Sequence, residues 1–379
     1  MWNPHVMILT ASYGDGHLQV SNALKQRLAQ YGIKNVQIVD LMKEAHPLLN
    51  SISTKLYLKS TVTSQYGLDY YGWSYYVTRD TRTDGSIGKY FNYLGKRKLK
   101  ALIEQTRPDV IISTFPFGAA ADIGRELGIP ACVVITDYAL HMRWTHPDTD
   151  RYYVATEELK TELLLKRAAT AERVKVTGIP IRPAFLEASA SGCRYLPGWN
   201  PSKRLVLISA GSYGVLHHIE ELADRLRHQD HCDVAIVCGR NQKMENKLKQ
   251  LFAGNEGVHV FGYVEHIHEL MALSTCIVTK AGGITLSEAL ALKLPVFIYK
   301  PFAGQEKENA KYFAEMGMAH VAANIHELEE QLHRFLSDSA VAYGMKSRMA
   351  AVHKGDAADL IVKDVLSMVS LEREKLASV

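Results

Sequence analysis

Short apolar runs alternate with helical patterns along almost the whole chain, and this rhythm restricts the fold more than any other feature. Strand-like runs fall at 6–11, 36–41, 109–114, 131–136, 152–156 and 174–177, then at 205–210, 234–238, 258–263, 276–280 and 296–299. Helical periodicity fills the gaps between them. Over 18–31, for example, Val20, Leu24, Leu28 and Tyr31 share one face. Strands alternating with helices form parallel sheets covered by helices, the doubly wound α/β architecture.

At 379 residues the chain is long for one core, and two α/β domains are expected. The rhythm breaks at 186–204, LEASASGCRYLPGWNPSKR, a stretch rich in Ser, Gly and Pro. The expectation is an N-terminal domain over 1–185, a linker over 186–204 and a C-terminal domain over 205–355. Residues 356–379 read as a helix that either ends the second domain or crosses back to the first. Five scattered cysteines lack metal-ligand spacing, no secretory leader is seen, and no apolar run is long enough to span a bilayer. These features point to a reduced cytoplasmic protein whose membrane contact, if any, is peripheral.

The formal net charge is only +4, but it is unevenly spread. Between Lys55 and Lys100, nine Lys and Arg face three Asp, a surplus larger than that of the whole chain. Tyrosines and Trp73 lie among these cations. Cationic and aromatic side chains together suit the headgroup zone of an anionic bilayer. The mixture also suits nucleic acid, but no nucleic-acid motif accompanies it. Trp73, Lys96, Arg97 and Lys98 are the expected contacts; for some of the rings a tyrosine-rich core edge is the plainer alternative.

Doubly wound sheets bind ligands beyond the carboxyl ends of their strands, so chemistry is expected in the loops there. The first such loop, ASYGDGH, holds Gly14, Gly16 and then His17. Glycines before a helix suit a phosphate, whereas an imidazole that is neutral near pH 7 suits a general base. Asp15 would raise the pKa of that imidazole and the helix dipole would lower it. In the second half, SAGSYG offers the backbone of Gly211 and Ser212 as a diphosphate seat or as an ordinary βα turn. Gly239 in VCGRN repeats the pattern one strand on. In KAGGITLSEA, Gly282 and Gly283 admit a ligand to the backbone, and Thr285 can cap the helix or donate to phosphate. Glu288 there can accept a ribose diol or serve the helix dipole. In KPFAGQEKENA, Gln305, Glu306 and Asn309 offer the mixed donors and acceptors that a hexose needs, or simply start a polar helix. Arg182, between two prolines, fits a phosphate leaving group or an ordinary surface position. The loop at 134–150 holds Asp137, Trp144 and a DxD, Asp148-Thr149-Asp150. That DxD follows a proline well past the strand and reads as a turn rather than a metal site.

Together TASYGDGHLQVSNAL, STFPF, TDYALHMRWTH, YYVAT, KVTGIPIRPAF, VCGRN, KAGGITLSEA and YKPFAGQEKENA closely resemble the bacterial processive diacylglycerol β-glucosyltransferases. These are relatives of the plant monogalactosyldiacylglycerol synthases and, more distantly, of the peptidoglycan N-acetylglucosaminyltransferase that makes lipid II. The resemblance runs in one order from about residue 5 to 360. It implies the GT-B architecture, two doubly wound Rossmann-like domains facing a cleft. The first would serve acceptor and membrane and the second the UDP-sugar. Arg182, Gly211 and Ser212 would then meet the diphosphate, Glu288 the ribose, and Gln305 and Glu306 the hexose. The backbone around Tyr263 and Val264 would read uracil.

By the same resemblance His17 is the leading candidate for the base, with Asp137 either orienting it or taking its place. Gly14 and Gly16 would keep the loop thin beside the acceptor, near Trp144. No metal or other cofactor is implied. The implied reaction moves glucose from UDP-glucose to diacylglycerol, with inversion, at the inner face of the cell membrane. Three alternatives stand beside it: UDP-galactose as donor, a UDP-N-acetylglucosamine 2-epimerase of the same fold, and a UDP-sugar sensor. The basic, aromatic segment argues against the epimerase. The intact set of His17, Glu288, Gln305 and Glu306 argues for turnover.

Overall fold

The computed structural model describes residues 3–11, 15–41, 43, 70–80, 96–188, 193–196, 199–200, 202–212, 214, 216, 218–228 and 232–377. Contacts divide the chain into two units, Met1–Pro183 with Lys354–Val379, and Ala184–His353.

The first unit runs β1 (Val6–Thr10), α1 (Asp15–Gln30), β2 (Val36–Asp40), α2 (Tyr70–Arg79), α3 (Lys96–Thr106), β3 (Val110–Ser113), α4 (Gly118–Leu127), β4 (Ala131–Val134), β5 (Arg151–Val154), α5 (Glu157–Leu165) and β6 (Val174–Val176). Its strands order as β2-β1-β3-β4-β5-β6, and every pair is parallel. Every residue of β1 and β3 is buried. Such strands read as continuous apolar runs because helices cover both faces of the sheet. On α1, Val20, Leu24 and Leu28 are buried as their spacing predicts, but Tyr31, just past its end, is 40% exposed. Its hydroxyl instead donates to Asp359 at 2.7 Å.

The second unit runs β7 (Arg204–Ser209), α6 (Ile219–Leu226), β8 (Cys232–Val237), α7 (Gln242–Leu251), β9 (Val258–Phe261), α8 (Ile267–Leu273), β10 (Cys276–Thr279), α9 (Gly283–Leu292), β11 (Val296–Tyr299), α10 (Gln305–Glu315), β12 (Ala319–Ala322), α11 (Ile325–Ser337) and α12 (Ser339–Val352). The sheet order is β12-β11-β10-β7-β8-β9, again parallel throughout. Strand β12 has no counterpart among the predicted runs. Its sequence, AHVA, holds a single β-branched residue, and it forms by pairing in register with β11 from Val296↔Ala319 to Tyr299↔Ala322.

The last helix, α13 (Ala357–Ala377), belongs to the first unit. Ile361, Val362 and Val365 give it a fully buried stripe. Polar contacts fix its register: Arg27 pairs with Asp356, and the Tyr153 hydroxyl donates to Asp364 at 2.9 Å. The stretch read as a linker is instead bonded into the second unit. Arg194 meets Glu269 through both its backbone N–H and its guanidinium, at 3.0 and 2.8 Å. The Trp199 indole donates to Asp233 at 3.2 Å.

Candidate functional site

Each unit carries its own cluster of polar side chains beyond the carboxyl ends of its strands, at the point where strand order reverses. In the first unit that point lies between β1 and β3. His17 is the third residue of α1, the helix after β1. Its Nδ1 lies 2.8 Å from the Thr114 carbonyl oxygen, just past β3, and 3.2 Å from Thr136 Oγ1, just past β4. A carbonyl only accepts, so Nδ1 carries the proton and Nε2 keeps its lone pair. Beneath the ring, Ser21 Oγ donates to the His17 carbonyl at 3.0 Å and lies 2.9 Å from Thr114 Oγ1. Phe115 and Trp144 flank the imidazole, with ring centroids 5.2 and 6.2 Å away.

Burial pushes the pKa of His17 down from 6.5 to about 4, against a smaller upward pull from the Thr114 hydrogen bond. One expectation changes here: Asp15 is not among the causes of the shift, which is downward and set by burial. Asp137 is buried, and Thr114 and Thr136 both lie within hydrogen-bond distance of Nδ1. Trp144, expected at the acceptor or membrane, is 6% exposed and walls the His17 site. Gly16 lies in the first turn of α1. Gly14 falls outside the described residues, as does the side chain of Trp73 on α2.

The basic segment is partly neutralised by acids from elsewhere in the first unit. Lys96 donates to Asp122 at 2.9 Å, Lys100 pairs with Glu126, and Arg79 lies 3.9 Å from Glu162. Arg97 and Lys98 on α3 are exposed. The DxD acids also have protein partners: Asp148 accepts from Arg125 at 2.5 Å, and Asp150 accepts from the Ala131 amide at 2.8 Å. Asp122, His146 and Asp148 bring ligand atoms within 4.8 Å of one another. Lys96 and Arg125 already supply positive charge to that cluster, which fits an ion-pair network better than a cation site.

In the second unit strand order reverses between β7 and β10, and four loops converge there. Gly239, after β8, has φ +59°, and a Cβ on it would fall 2.3 Å from the Gly211 carbonyl oxygen. Only glycine lets that loop pass so close. The Arg240 amide then donates to the Ser212 carbonyl at 2.9 Å. A Cβ on Gly211 would lie 3.1 Å from Lys280 Cε, so the loops after β7 and β10 also touch. Lys280 Nζ donates to Glu306 Oε1 at 3.0 Å.

Glu306 is 9% exposed, and its second oxygen, Oε2, is buried with no hydrogen-bond partner. A buried carboxylate oxygen without a donor is costly, and a ligand hydroxyl would satisfy it. Gly282 caps α9 without a side-chain hydrogen bond, and a Cβ there would meet nothing within 4 Å. The fold alone therefore does not require glycine at 282. Open space before a helix N-terminus suits an anion. Thr285 and the buried Glu288 follow on α9.

Gln305 opens α10, which starts at Gly304 without a side-chain cap. Asn309 is fully buried and donates to the Ala281 carbonyl at 3.1 Å, which ties α10 to the loop after β10. Tyr263 is 52% exposed beneath the Arg240 guanidinium, whose carbon lies 4.9 Å from the ring centroid, and Val264 is buried. Arg182 falls in the first unit by its contacts.

Sequence reasoning missed Lys280, Arg240, Thr114 and Thr136 as site residues. Lys280 and Arg240 stood inside the motifs KAGGITLSEA and VCGRN, and Thr136 began TDYALHMRWTH. The signal was present, but nothing in one dimension says which ends of strands become neighbours.

Comparison with known proteins gives the following similarities. The family model of monogalactosyldiacylglycerol (MGDG) synthase matches residues 17–181, and that of the glycosyltransferase family 28 C-terminal domain matches 205–361. A processive diacylglycerol β-glucosyltransferase of Bacillus subtilis is 37% identical, with 99% of each chain covered. Its namesake in Bacillus cytotoxicus is 39% identical over 96% of this chain and 94% of its own. Among solved structures, Acinetobacter baumannii MurG gives a TM-score of 0.64 at 16% identity, covering 96% of this chain and 100% of its own. CalG4, the calicheamicin glycosyltransferase, gives 0.63 at 16% identity, covering 97% and 100%. A UDP-N-acetylglucosamine 2-epimerase gives 0.60 at 14% identity, covering 98% and 97%. The fold is thus GT-B, which transferases and epimerases share.

Proposed function

Since the chain belongs to the family of processive diacylglycerol β-glucosyltransferases, we propose that it transfers glucose from UDP-glucose to the hydroxyl of diacylglycerol and then onto the glucosylated product. The observation that carries this reading is similarity at 37% identity across 99% of the chain to a relative of that name. An epimerase shares only the fold.

The chemistry is a single displacement. Nε2 of His17 takes the proton of the acceptor hydroxyl while its oxygen forms a bond to C1 of the sugar. The C1–oxygen bond to UDP breaks, and its electron pair leaves on the β-phosphate. One base and a stabilised leaving group suffice, without a covalent intermediate, and the anomeric centre inverts. The turn at Gly211–Ser212 and the helix start at Gly282–Gly283 are the candidate seats of the diphosphate, with Arg182 and Lys280 as candidate cations. Glu288 is the candidate partner of the ribose, Gln305 and Glu306 of the hexose, and the backbone at Tyr263–Val264 of the uracil. Glu306 Oε2, buried and without a partner, supports a sugar hydroxyl at that position.

On this reading transfer needs no metal ion; both DxD acids are engaged by protein groups. No helix among the described residues is long and apolar enough to cross a bilayer. On this reading lipid access is peripheral, at the cytoplasmic face. The exposed Arg97 and Lys98 of α3 and Tyr76 and Val77 of α2 are the candidate contacts. A second reading has UDP-galactose as donor, favoured by the match of residues 17–181 to a monogalactosyldiacylglycerol synthase model. That match lies in the acceptor half, whereas the β-glucosyltransferases match both halves. Incubation with each UDP-sugar and diacylglycerol vesicles tests both readings. Glucolipid with UDP-glucose supports the first, and galactolipid alone supports the second.

A further inference from the structure

We infer that Thr136 is a positioning residue for proton transfer: its hydroxyl and the Thr114 carbonyl frame Nδ1 of His17, so that Nε2 is the nitrogen that takes the acceptor's proton. The inference rests on the reading of His17 as the base.

The frame is built from neighbouring strand ends. Strands β3 and β4 pair in parallel, with Ser113 opposite Val133. Thr114 lies one residue beyond β3 and Thr136 two beyond β4, and both are buried, at 0% and 4% exposure. Their oxygens approach the same nitrogen at 2.8 and 3.2 Å. Nδ1 carries one hydrogen at most. The carbonyl requires that hydrogen to be there, so the Thr136 oxygen is a second acceptor for the same N–H. The Ser21–Thr114 hydroxyl contact at 2.9 Å and the Ser21 bond to the His17 carbonyl clamp the first turn of α1 from below. Ring orientation and tautomer are both fixed.

This frame also acts on the reacting state. When Nε2 gains a proton, positive charge spreads over both nitrogens, and the Nδ1 hydrogen becomes a stronger donor. Two oxygen acceptors stabilise that imidazolium more than one does. Many catalytic histidines lean on a carboxylate in this position. Here Nδ1 meets two neutral oxygens, and the ring stays uncharged until the pH is well below its ordinary range. Thr136 thus contributes when the proton moves, and not when UDP-glucose binds.

The test is a double-mutant cycle, read as initial rates of glucosyl transfer to diacylglycerol in vesicles. Thr136→Val removes the oxygen while keeping the side-chain shape. It is expected to lower kcat about tenfold, the size expected for a hydrogen bond to a charged group, with KM for UDP-glucose unchanged. Thr136→Ser should restore most of the rate. In a His17→Ala background, Thr136→Val should cost nothing further, because its effect passes through the ring. The inference is overturned if Thr136→Val leaves kcat unchanged, or lowers it by the same factor without His17. Near-normal transfer by His17→Ala alone would instead refute the base assignment itself. A measurement on the unmutated protein covers the case in which a variant fails to fold. Nitrogen-15 NMR of His17 at neutral pH should show Nδ1 protonated and Nε2 bare; the opposite tautomer overturns the inference.

Discussion

His17 is placed where a base is easily kept neutral. Burial holds its pKa near 4, so Nε2 is unprotonated across the physiological range, though weaker as a base than an exposed imidazole. His17→Gln should lower kcat by about 10²–10⁴-fold, the usual contribution of a general base. UDP affinity, measured by calorimetry, should not change. Glu306 is the corresponding test on the donor side. One of its oxygens is held by Lys280 and the other is buried without a donor. Glu306→Gln should raise KM for UDP-glucose about tenfold if a sugar hydroxyl fills that place. His17 and Glu306 were legible in the sequence because their residue types stand in glycine-bearing loops after apolar runs. Thr136 and Lys280 were not, since a threonine or lysine near a strand end is ordinary. Their roles arise only when the ends of β3 and β4, or of β7 and β10, come to lie side by side. Asn309 stands in such a loop too, and its full burial and its bond to the Ala281 carbonyl were not legible in one dimension.

At the scale of elements, the sheets were legible wherever a strand was a continuous apolar run. Among the described strands only β12 escaped, because pairing with β11 stabilises a sequence with little strand signal of its own. Helix–helix attachment was not legible, since it depends on partners hundreds of residues apart. Helix α13 shows this, docked on the first unit through Asp356, Asp359 and Asp364. Asp364→Ala removes the partner of the buried Tyr153 hydroxyl and of Arg151, 2.9 Å away. It should destabilise the first unit by roughly 1–3 kcal/mol, seen as a lower unfolding midpoint for that unit with UDP binding preserved.

Helix α2 is held by another buried histidine. His141 Nε2 lies 3.2 Å from Thr78 Oγ1, and its ring packs on Tyr75 at 5.0 Å. Burial first, then the charges of Arg143 and Arg79, lower its pKa from 6.5 to about 4. Between those values the unfolded chain binds a proton at His141 and the native chain does not. Stability therefore falls as pH drops from 6.5 toward 4, and is fully present above 6.5. His17 acts in the same sense, each ring contributing up to roughly 3 kcal/mol. His141→Gln should flatten the dependence of the unfolding midpoint on pH between 4.5 and 7, a slope that thermal unfolding in matched buffers measures directly.

For the whole molecule, the proposed division of labour rests on two parallel sheets, each with its own switch point. One gathers the candidate base, His17, and the groups around it. The other gathers glycine turns, uncapped helix starts and a lysine–carboxylate pair. Because the DxD acids and the Asp122–His146–Asp148 cluster are tied to arginine, lysine and backbone, chelation with EDTA should leave transfer within about twofold of its original rate, against the usual metal contribution of several kcal/mol.

Direct, inverting transfer of glucose from UDP-glucose to a lipid hydroxyl is tested by incubating the protein with UDP-glucose and diacylglycerol vesicles and reading the anomeric configuration of the first glycolipid by proton NMR. The expected product is a β-linked glucosyl-diacylglycerol that the His17→Gln variant scarcely forms. An α-linked product, or full activity in that variant, would contradict it.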